Sequence, residues 1–81
     1  MVYFIYGITD CPACLRACAA LMEADIEYVF VETDFAKTYR KQLQAKYQHS
    51  TFPIVVREDK SERLIIGGYD ELLLHLKKRS G

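Results

Sequence analysis

The residues with the clearest chemical potential are Cys11 and Cys14, in the sequence Cys-Pro-Ala-Cys. Two thiols three residues apart close a small ring, so a disulfide between them restricts the unfolded chain little and contributes little as a structural staple. The pair is better suited to reversible redox chemistry, because the thiolate is the reactive form and Cys-x-x-Cys sites favour it. The same spacing occurs as half of many zinc sites, so the spacing alone leaves both chemistries open.

Pro12 predicts that a helix begins between the two cysteines, because proline favours the first helical turn. Cys11 then lies at the helix start, where unpaired amides and the helix dipole stabilise a thiolate. Cys14 lies one turn further, on a neighbouring position. We therefore predict that Cys11 is the exposed nucleophile and Cys14 the more buried resolving thiol. The alternative is that both are small apolar residues that only fill the start of a helix.

The third cysteine, Cys18, continues the apolar side of this helix and is predicted to be a core residue rather than a redox-regulatory thiol. A zinc site built on Cys11 and Cys14 would need two further ligands, which Cys18, His49 or His75 would have to supply. These three form no second pair at short ligand spacing. We therefore predict no metal site, and we expect both histidines to be ordinary surface residues.

Length and charge restrict the class of protein. The 81 residues predict a single domain over residues 1–81. Eleven basic residues balance eleven acidic ones, so no net field attracts nucleic acid or an anionic membrane. No segment reads as a membrane span or signal peptide. Three cysteines, an odd number, suit a reducing cytosol better than a secreted disulfide framework. These features together predict a cytoplasmic monomer.

Hydrophobic periodicity predicts four strands and three helices in the order β-α-β-α-β-β-α. The strands are predicted over residues 2–6, 28–31, 54–56 and 64–66, and the helices over 12–24, 35–47 and 69–78. The first two strands should be parallel because a helix crosses between them, and the last two should be antiparallel across a turn at 58–62. The result is an α/β fold with a small four-stranded mixed sheet flanked by three helices. The apolar face of the first helix is predicted to carry Cys14, Leu15, Cys18, Leu21 and Met22. The inward face of the last helix is predicted to carry Leu72, Leu73 and Leu76.

Three motifs at the junctions of these elements resemble those of a glutaredoxin. They are Cys11-Pro12-Ala13-Cys14 after the first strand, Ser50-Thr51-Phe52-Pro53 before the third, and Gly67-Gly68-Tyr69-Asp70-Glu71-Leu72 at the start of the last helix. The correspondence extends from about Val2 to Leu76. The resemblance implies a thioredoxin-like fold and a small dithiol glutaredoxin of bacterial or viral type, with no permanently bound cofactor and with glutathione as co-substrate.

The resemblance also implies how glutathione is held. Pro53 would follow a cis peptide bond, so that the backbone of Phe52 pairs with glutathione like an added strand; otherwise Pro53 simply starts an edge strand. Amides at the start of the last helix would bind the γ-glutamyl carboxylate, and Asp70 or Glu71 its ammonium group. Asp70 is alternatively an ordinary N-cap. The implied glutathione-binding residues are Tyr6, Arg40, Thr51, Phe52, Pro53, Gly68, Tyr69, Asp70 and Glu71. Lys37 and Lys41 compete with Arg40 for the glycine carboxylate.

Two departures from the family pattern affect the thiol site. Ala13 stands where the family often has an aromatic residue, which opens the rim of the site. Ile8 stands where the family commonly has a lysine, and Asp10 precedes Cys11 directly. The site is therefore expected to be more open and less electropositive than the family pattern.

The resemblance implies that Cys11 attacks a protein disulfide or a glutathione mixed disulfide and forms a mixed disulfide of its own. Either Cys14 then resolves this intermediate by forming a Cys11–Cys14 disulfide, or glutathione resolves it directly. Disulfide-containing or glutathionylated proteins, with ribonucleotide reductase among them, are the implied partners. Three alternatives remain: a module that binds an iron–sulfur cluster with the help of glutathione, an electron donor of the NrdH or thioredoxin type, and a redox-switch adaptor without turnover.

Overall fold

The computed structural model describes residues 1–34, 36–49 and 51–80, without the side chains of residues 79 and 80. Over these residues the chain follows the predicted order of elements. The strands are β1 (Val2–Gly7), β2 (Tyr28–Glu32), β3 (Ile54–Glu58) and β4 (Arg63–Gly67), and the helices are α1 (Pro12–Glu23), α2 (Lys37–Lys46) and α3 (Tyr69–Ser80). Phe35, predicted as the first residue of the second helix, lies outside the described residues.

The four strands form one mixed sheet in the order β2-β1-β3-β4. β1 pairs in parallel with β2, as a crossover through α1 requires. β3 runs antiparallel to both β1 and β4. Because of these directions, the end of β1, the start of β3 and the end of β4 meet at one edge of the sheet.

The β3–β4 ladder contains a bulge near this edge. Val56 pairs with Ile65, whereas the preceding residue Val55 pairs with Gly67, so that Ile66 is an extra residue on β4. A one-residue slip in register moves side chains to the opposite face of a sheet. The bulge therefore determines which side chains at the start of α3 face the sheet.

The two faces of the sheet carry two hydrophobic clusters. Helices α1 and α3 cover the first face, where the buried residues are Tyr3, Ile5, Ala17, Leu21, Val55 and Leu72. Helix α2 covers the second, where they are Leu43, Tyr47, Ile54 and Val56. Successive residues of a strand point to opposite faces, so Ile54 and Val56 lie on one side and Val55 on the other. Nonpolar side chains packed on both faces hold the central strands β1 and β3 in place, and the thiol site lies at the ends of these strands.

Three leucine or methionine positions predicted to be inward are exposed. Leu15 and Met22 of α1 are 57% and 65% exposed, and Leu73 of α3 is 41% exposed. Consecutive helical residues lie about 100° apart, so each of these three points away from the sheet when its neighbour packs against it. The other predicted residues of α1, Cys14, Cys18 and Leu21, do form the face that packs against the sheet, and Ala17 completes it.

The prediction that His75 is an ordinary surface residue is wrong. Its ring lies partly buried on α3, with Nε2 2.8 Å from the hydroxyl oxygen of Tyr3. The two rings meet edge to face at 5.8 Å between centroids. His75 thus provides the polar partner that the hydroxyl of a fully buried tyrosine needs.

None of the helices in the described part of the chain is long and apolar enough to cross a membrane.

Candidate active site

Cys11 is the N-cap residue of α1, in the extended conformation (φ −144°, ψ 101°) that such a position requires. Its Sγ accepts a hydrogen bond from the backbone amide of Cys14 at 3.2 Å. Its carbonyl accepts the helical hydrogen bond from the amide of Leu15. The sulfur of Cys11 thus lies at the N-terminus of a helix, beside a backbone N–H donor, and is only partly buried.

Cys14 has the opposite environment. The side chain is fully buried, and burial, followed by the hydrogen bond with Cys11, raises the pKa of Cys14 to about 12 from an ordinary 9.0. The end of β1 approaches it so closely that a Cβ atom on Gly7 would lie 2.6 Å from its Sγ. All three cysteines are free thiols in this structure. At neutral pH, Cys14 therefore stays protonated and shielded beside an accessible Cys11.

Cys18 packs against the first hydrophobic cluster, as predicted. Burial raises the pKa of Cys18, and the hydrogen bond with the Tyr28 side chain offsets part of this effect. Its environment therefore favours a protonated thiol that acts as a small apolar side chain.

The loop before Cys11 is held by two residues that the sequence did not reveal. The carbonyl of Gly7 accepts from the amide and the hydroxyl of Thr33, at 2.8 and 2.9 Å. The carboxylate of Asp34 accepts from the amide of Thr9 at 2.9 Å and from the hydroxyl of Thr9. These hydrogen bonds connect the segment before the thiols to the two residues that follow β2.

The segment before β3 faces the thiols from the other side. The Phe52–Pro53 peptide bond is cis, as the resemblance implies. The carbonyl oxygen of Phe52 lies 4.0 Å from Sγ of Cys11. Pro53 is buried, Phe52 partly buried and Thr51 exposed. Ser50, the first residue of the predicted motif, lies outside the described residues.

The third segment is the start of α3. Gly67 has φ +118°, a backbone conformation that residues other than glycine rarely adopt. This conformation allows β4 to lead directly into the helix. The amide of Gly68 donates to Oε1 of Glu71 at 2.7 Å, the side-chain half of a capping box. Glu71 therefore caps the helix, and the alternative that Asp70 is the N-cap is wrong. Leu72 makes the helical bond to the carbonyl of Gly68, so the amides of Tyr69 and Asp70 precede the hydrogen-bonded turn.

His49 joins these segments, and sequence reasoning missed it. Its Nδ1 lies 2.8 Å from the carbonyl oxygen of Thr51, and its Nε2 lies 3.9 Å from Oε1 of Glu71. A cavity of about 440 Å³ opens beside it, lined by Ala13, His49, Thr51, Phe52, Pro53, Gly68, Tyr69, Asp70 and Glu71. The only feature of the sequence that could have indicated a role for His49 at this cavity is its position four residues before Pro53.

The sequence profile of the glutaredoxin family matches residues 2–61. The chain belongs to the glutaredoxin family. Comparison with curated protein sequences gives no match. The glutaredoxin of Brucella melitensis is similar in structure, with a TM-score of 0.75 and 24% identity over 96% of this chain and 80% of that one. The glutaredoxin-like NrdH-redoxin of Escherichia coli has a TM-score of 0.72 and 20% identity over 94% and 93%. These similarities show that the fold is thioredoxin-like, and the family places the chain among thiol–disulfide oxidoreductases.

Arg40, the predicted glutathione-binding residue on α2, does not line the 440 Å³ cavity but borders a different one that also includes Phe52. This second cavity of about 310 Å³ is lined by Lys37, Arg40, Lys41, Gln44 and Phe52. The Nε atom of Arg40 is buried and has no hydrogen-bond partner among the described residues. Lys37, Arg40 and Lys41, the three residues predicted to compete for the glycine carboxylate of glutathione, thus all border one cavity of this glutaredoxin.

Tyr6 occupies a supporting position. It packs with Phe52 against the second hydrophobic cluster, and its ring centroid lies 6.0 Å from that of Tyr47. Burial, followed by the charge and hydrogen bond of Tyr47, raises the pKa of Tyr6 to about 12. Tyr6 lines neither of the two cavities described above.

The described residues contain no group of three or more His, Cys, Asp or Glu side chains arranged to hold a metal ion.

Proposed function

We propose that this glutaredoxin is a glutathione-dependent dithiol oxidoreductase that reduces glutathione mixed disulfides and protein disulfides, with the cytoplasm as its compartment. The observation that carries the proposal is the inequality of the two thiols. Cys11 is partly exposed at a helix start, whereas Cys14 is buried next to it with a raised pKa. Attack by one thiol and resolution by the other requires this inequality.

In the proposed first step, the thiolate of Cys11 attacks the glutathione sulfur of a glutathionylated protein. A disulfide forms between Cys11 and glutathione, and the protein sulfur leaves as a thiolate that takes up a proton. A second glutathione thiolate then attacks the glutathione sulfur of this mixed disulfide, forming oxidised glutathione and releasing Cys11. With a protein disulfide, the thiolate of Cys11 attacks one protein sulfur, and the other leaves as a thiolate that takes up a proton. Cys14 then loses its proton and attacks Cys11, which breaks this mixed disulfide, releases the reduced protein and closes the Cys11–Cys14 disulfide. Two molecules of glutathione reduce that disulfide in two exchanges and leave as oxidised glutathione.

Three segments would hold glutathione during these steps. The backbone of Phe52, whose carbonyl faces Cys11, supports strand-like pairing with the cysteinyl residue of glutathione. The amides of Tyr69 and Asp70, at the start of α3, suit the γ-glutamyl carboxylate. The cations around the second cavity, Arg40 with Lys37 and Lys41, suit the glycine carboxylate. Thr51, Pro53 and Gly68 line the cavity between these groups.

The test is the glutathione-dependent reduction of a small glutathione mixed disulfide by wild type and three matched variants. Cys11→Ser should abolish turnover, and Cys14→Ser should keep it while failing on protein disulfides. Cys18→Ser serves as the control and should behave like wild type. Substantial activity in Cys11→Ser would overturn the proposal.

A second candidate is an electron donor that a thioredoxin reductase regenerates in place of glutathione. The NrdH-redoxin of Escherichia coli has a thioredoxin-like activity profile, and its structural match to this chain covers nearly all of both, which favours this candidate. Its partner would be a disulfide enzyme such as ribonucleotide reductase. Oxidised protein should be incubated separately with glutathione plus glutathione reductase and with thioredoxin reductase. Recovery of free thiols with the second system alone would select this candidate.

A further inference from the structure

The position of the proton on His49 follows from its neighbour Thr51. The Nδ1 atom lies 2.8 Å from the carbonyl oxygen of Thr51, and a carbonyl oxygen only accepts hydrogen bonds. Nδ1 therefore carries a proton. In the neutral imidazole the other nitrogen, Nε2, then has a free lone pair and acts as an acceptor.

A second acceptor faces this nitrogen. Oε1 of Glu71 lies 3.9 Å from Nε2, too far for a hydrogen bond between them. The carboxylate is held in place because it accepts from the amide of Gly68 at 2.7 Å. The imidazole packs against the same glycine, since a Cβ atom on Gly68 would lie 3.5 Å from Cε1 and 3.6 Å from Nε2. Both acceptors are thus fixed on the wall of the 440 Å³ cavity.

The gap between the two acceptors fits one ammonium group. Points 3.9 Å apart can both lie about 2.8 Å from a single nitrogen, at an angle of roughly 90°. An ammonium nitrogen carries three donors, and its charge strengthens each bond to a carboxylate. The amides of Tyr69 and Asp70 precede the first hydrogen-bonded turn of the same helix, so a carboxylate can bind next to the ammonium group. Together these groups match the head of an α-amino acid.

The resemblance already implies that Asp70 or Glu71 binds the α-ammonium group of the γ-glutamyl residue. We propose that His49 supplies a second acceptor for this group beside Glu71, which makes His49 a specificity-determining residue for glutathione disulfides. The inference rests on the proposed function, since it names a contact to the same co-substrate. His49 discriminates by accepting a hydrogen bond, so a ligand that lacks the ammonium group loses this contact while its carboxylate still binds at the helix start.

The test compares two mixed disulfides that differ only in this group, one made with glutathione and one with glutaryl-Cys-Gly. The quantity measured is the ratio of their KM values, with kcat followed separately. In wild type the ratio should favour glutathione by about tenfold, as expected for a hydrogen bond to a charged group. His49→Phe keeps a ring without the acceptor and should reduce the preference to about twofold. Glu71→Gln retains an oxygen for the amide of Gly68 and should also reduce it.

Glu62→Gln, which removes a carboxylate from the distant turn, is the control and should keep the wild-type ratio. An equal KM for the two disulfides in wild type would overturn this inference alone, because turnover would remain. A parallel rise of both KM values in His49→Phe would show a merely structural role and would also overturn it. Absence of turnover with both disulfides in wild type would instead overturn the proposed function, and the inference with it.

Discussion

A Cβ atom on Gly7 would lie 2.6 Å from Sγ of Cys14, closer than real side-chain contacts allow. The same atom would lie 3.1 Å from the ring of Phe30. The last residue of β1 therefore has no side chain because the thiol of Cys14 occupies that space. Glycine here serves close packing, and the burial that raises the pKa of Cys14 depends on it.

Gly7→Ala should destabilise the reduced protein by about 1–3 kcal/mol, the usual effect of overpacking a filled core. The measurement is urea unfolding under reducing conditions. The matched control places the same change in a Cys14→Ala background, where Sγ is absent and the destabilisation should be smaller. An equal effect in both backgrounds would mean that the thiol is not the obstacle.

The raised pKa of Cys14 predicts a loss of stability in alkaline solution. In the unfolded chain the thiol ionises around its ordinary pKa of 9.0, whereas in the folded chain it stays protonated up to about 12. The folded state binds the extra proton, so the contribution is complete below pH 9 and is lost as the pH rises toward 12. The stability of wild type relative to Cys14→Ala should fall above pH 9, by at most about 1.4 kcal/mol per pH unit. Unfolding curves between pH 8 and 10.5 test this, and parallel pH profiles would contradict it.

The hydrogen bonds from Thr9 hold the pKa of Asp34 below its ordinary value of 3.8. A carboxylate with a depressed pKa stabilises the fold above that value, and the contribution disappears as the pH falls through its folded pKa. Asp34→Asn should therefore lower the melting temperature at pH 7 and have a smaller effect in strong acid. Thr9→Val should give a similar loss at pH 7, and the two changes together should be less than additive. Full additivity would show that the two side chains do not act through one contact.

The capping role of Glu71 can be separated from the charge of its neighbour. Glu71→Ala removes the acceptor for the amide of Gly68 and should destabilise the protein by about 1 kcal/mol. Asp70→Ala removes an adjacent exposed carboxylate that does not cap and should have a smaller effect on thermal unfolding. The reverse order would identify Asp70 as the cap.

Two leucines on α1 provide a comparison of packing. Leu21 is fully buried in the first hydrophobic cluster, whereas Leu15 is mostly exposed. Leu21→Ala should reduce the free energy of unfolding by about 2–5 kcal/mol, and Leu15→Ala by about 0.5 kcal/mol or less. Similar values for both variants would place Leu15 in the core after all.

The sequence predicted what depends on local spacing. The order of strands and helices follows from periodicity, and the start of α1 follows from Pro12, so the contrast between an accessible Cys11 and a buried Cys14 was foreseeable. The choice between neighbouring apolar residues was not, because Leu72 and Leu73 have the same chemistry and only the angle of the helix against the sheet distinguishes them.

Contacts between distant segments were beyond sequence reasoning. Thr9 and Asp34 lie 25 positions apart, and nothing in either residue indicates the other. Similarly, the pairing of His49 with Glu71 depends on where β4 delivers the chain. Both contacts arise from tertiary packing. The spacing of residues along a single sequence does not show which distant segments come together.

The extra residue Ile66 gives the two arms of the β3–β4 hairpin unequal length. Insertions or deletions in the turn at 59–62, at the far end of the hairpin, leave the pairing of Val55 with Gly67 unchanged. Deleting Ile66 would instead advance every later residue by one position and rotate the side chains of α3 by about 100° relative to the sheet. The hairpin therefore tolerates changes of length at its tip but not between the bulge and Gly68.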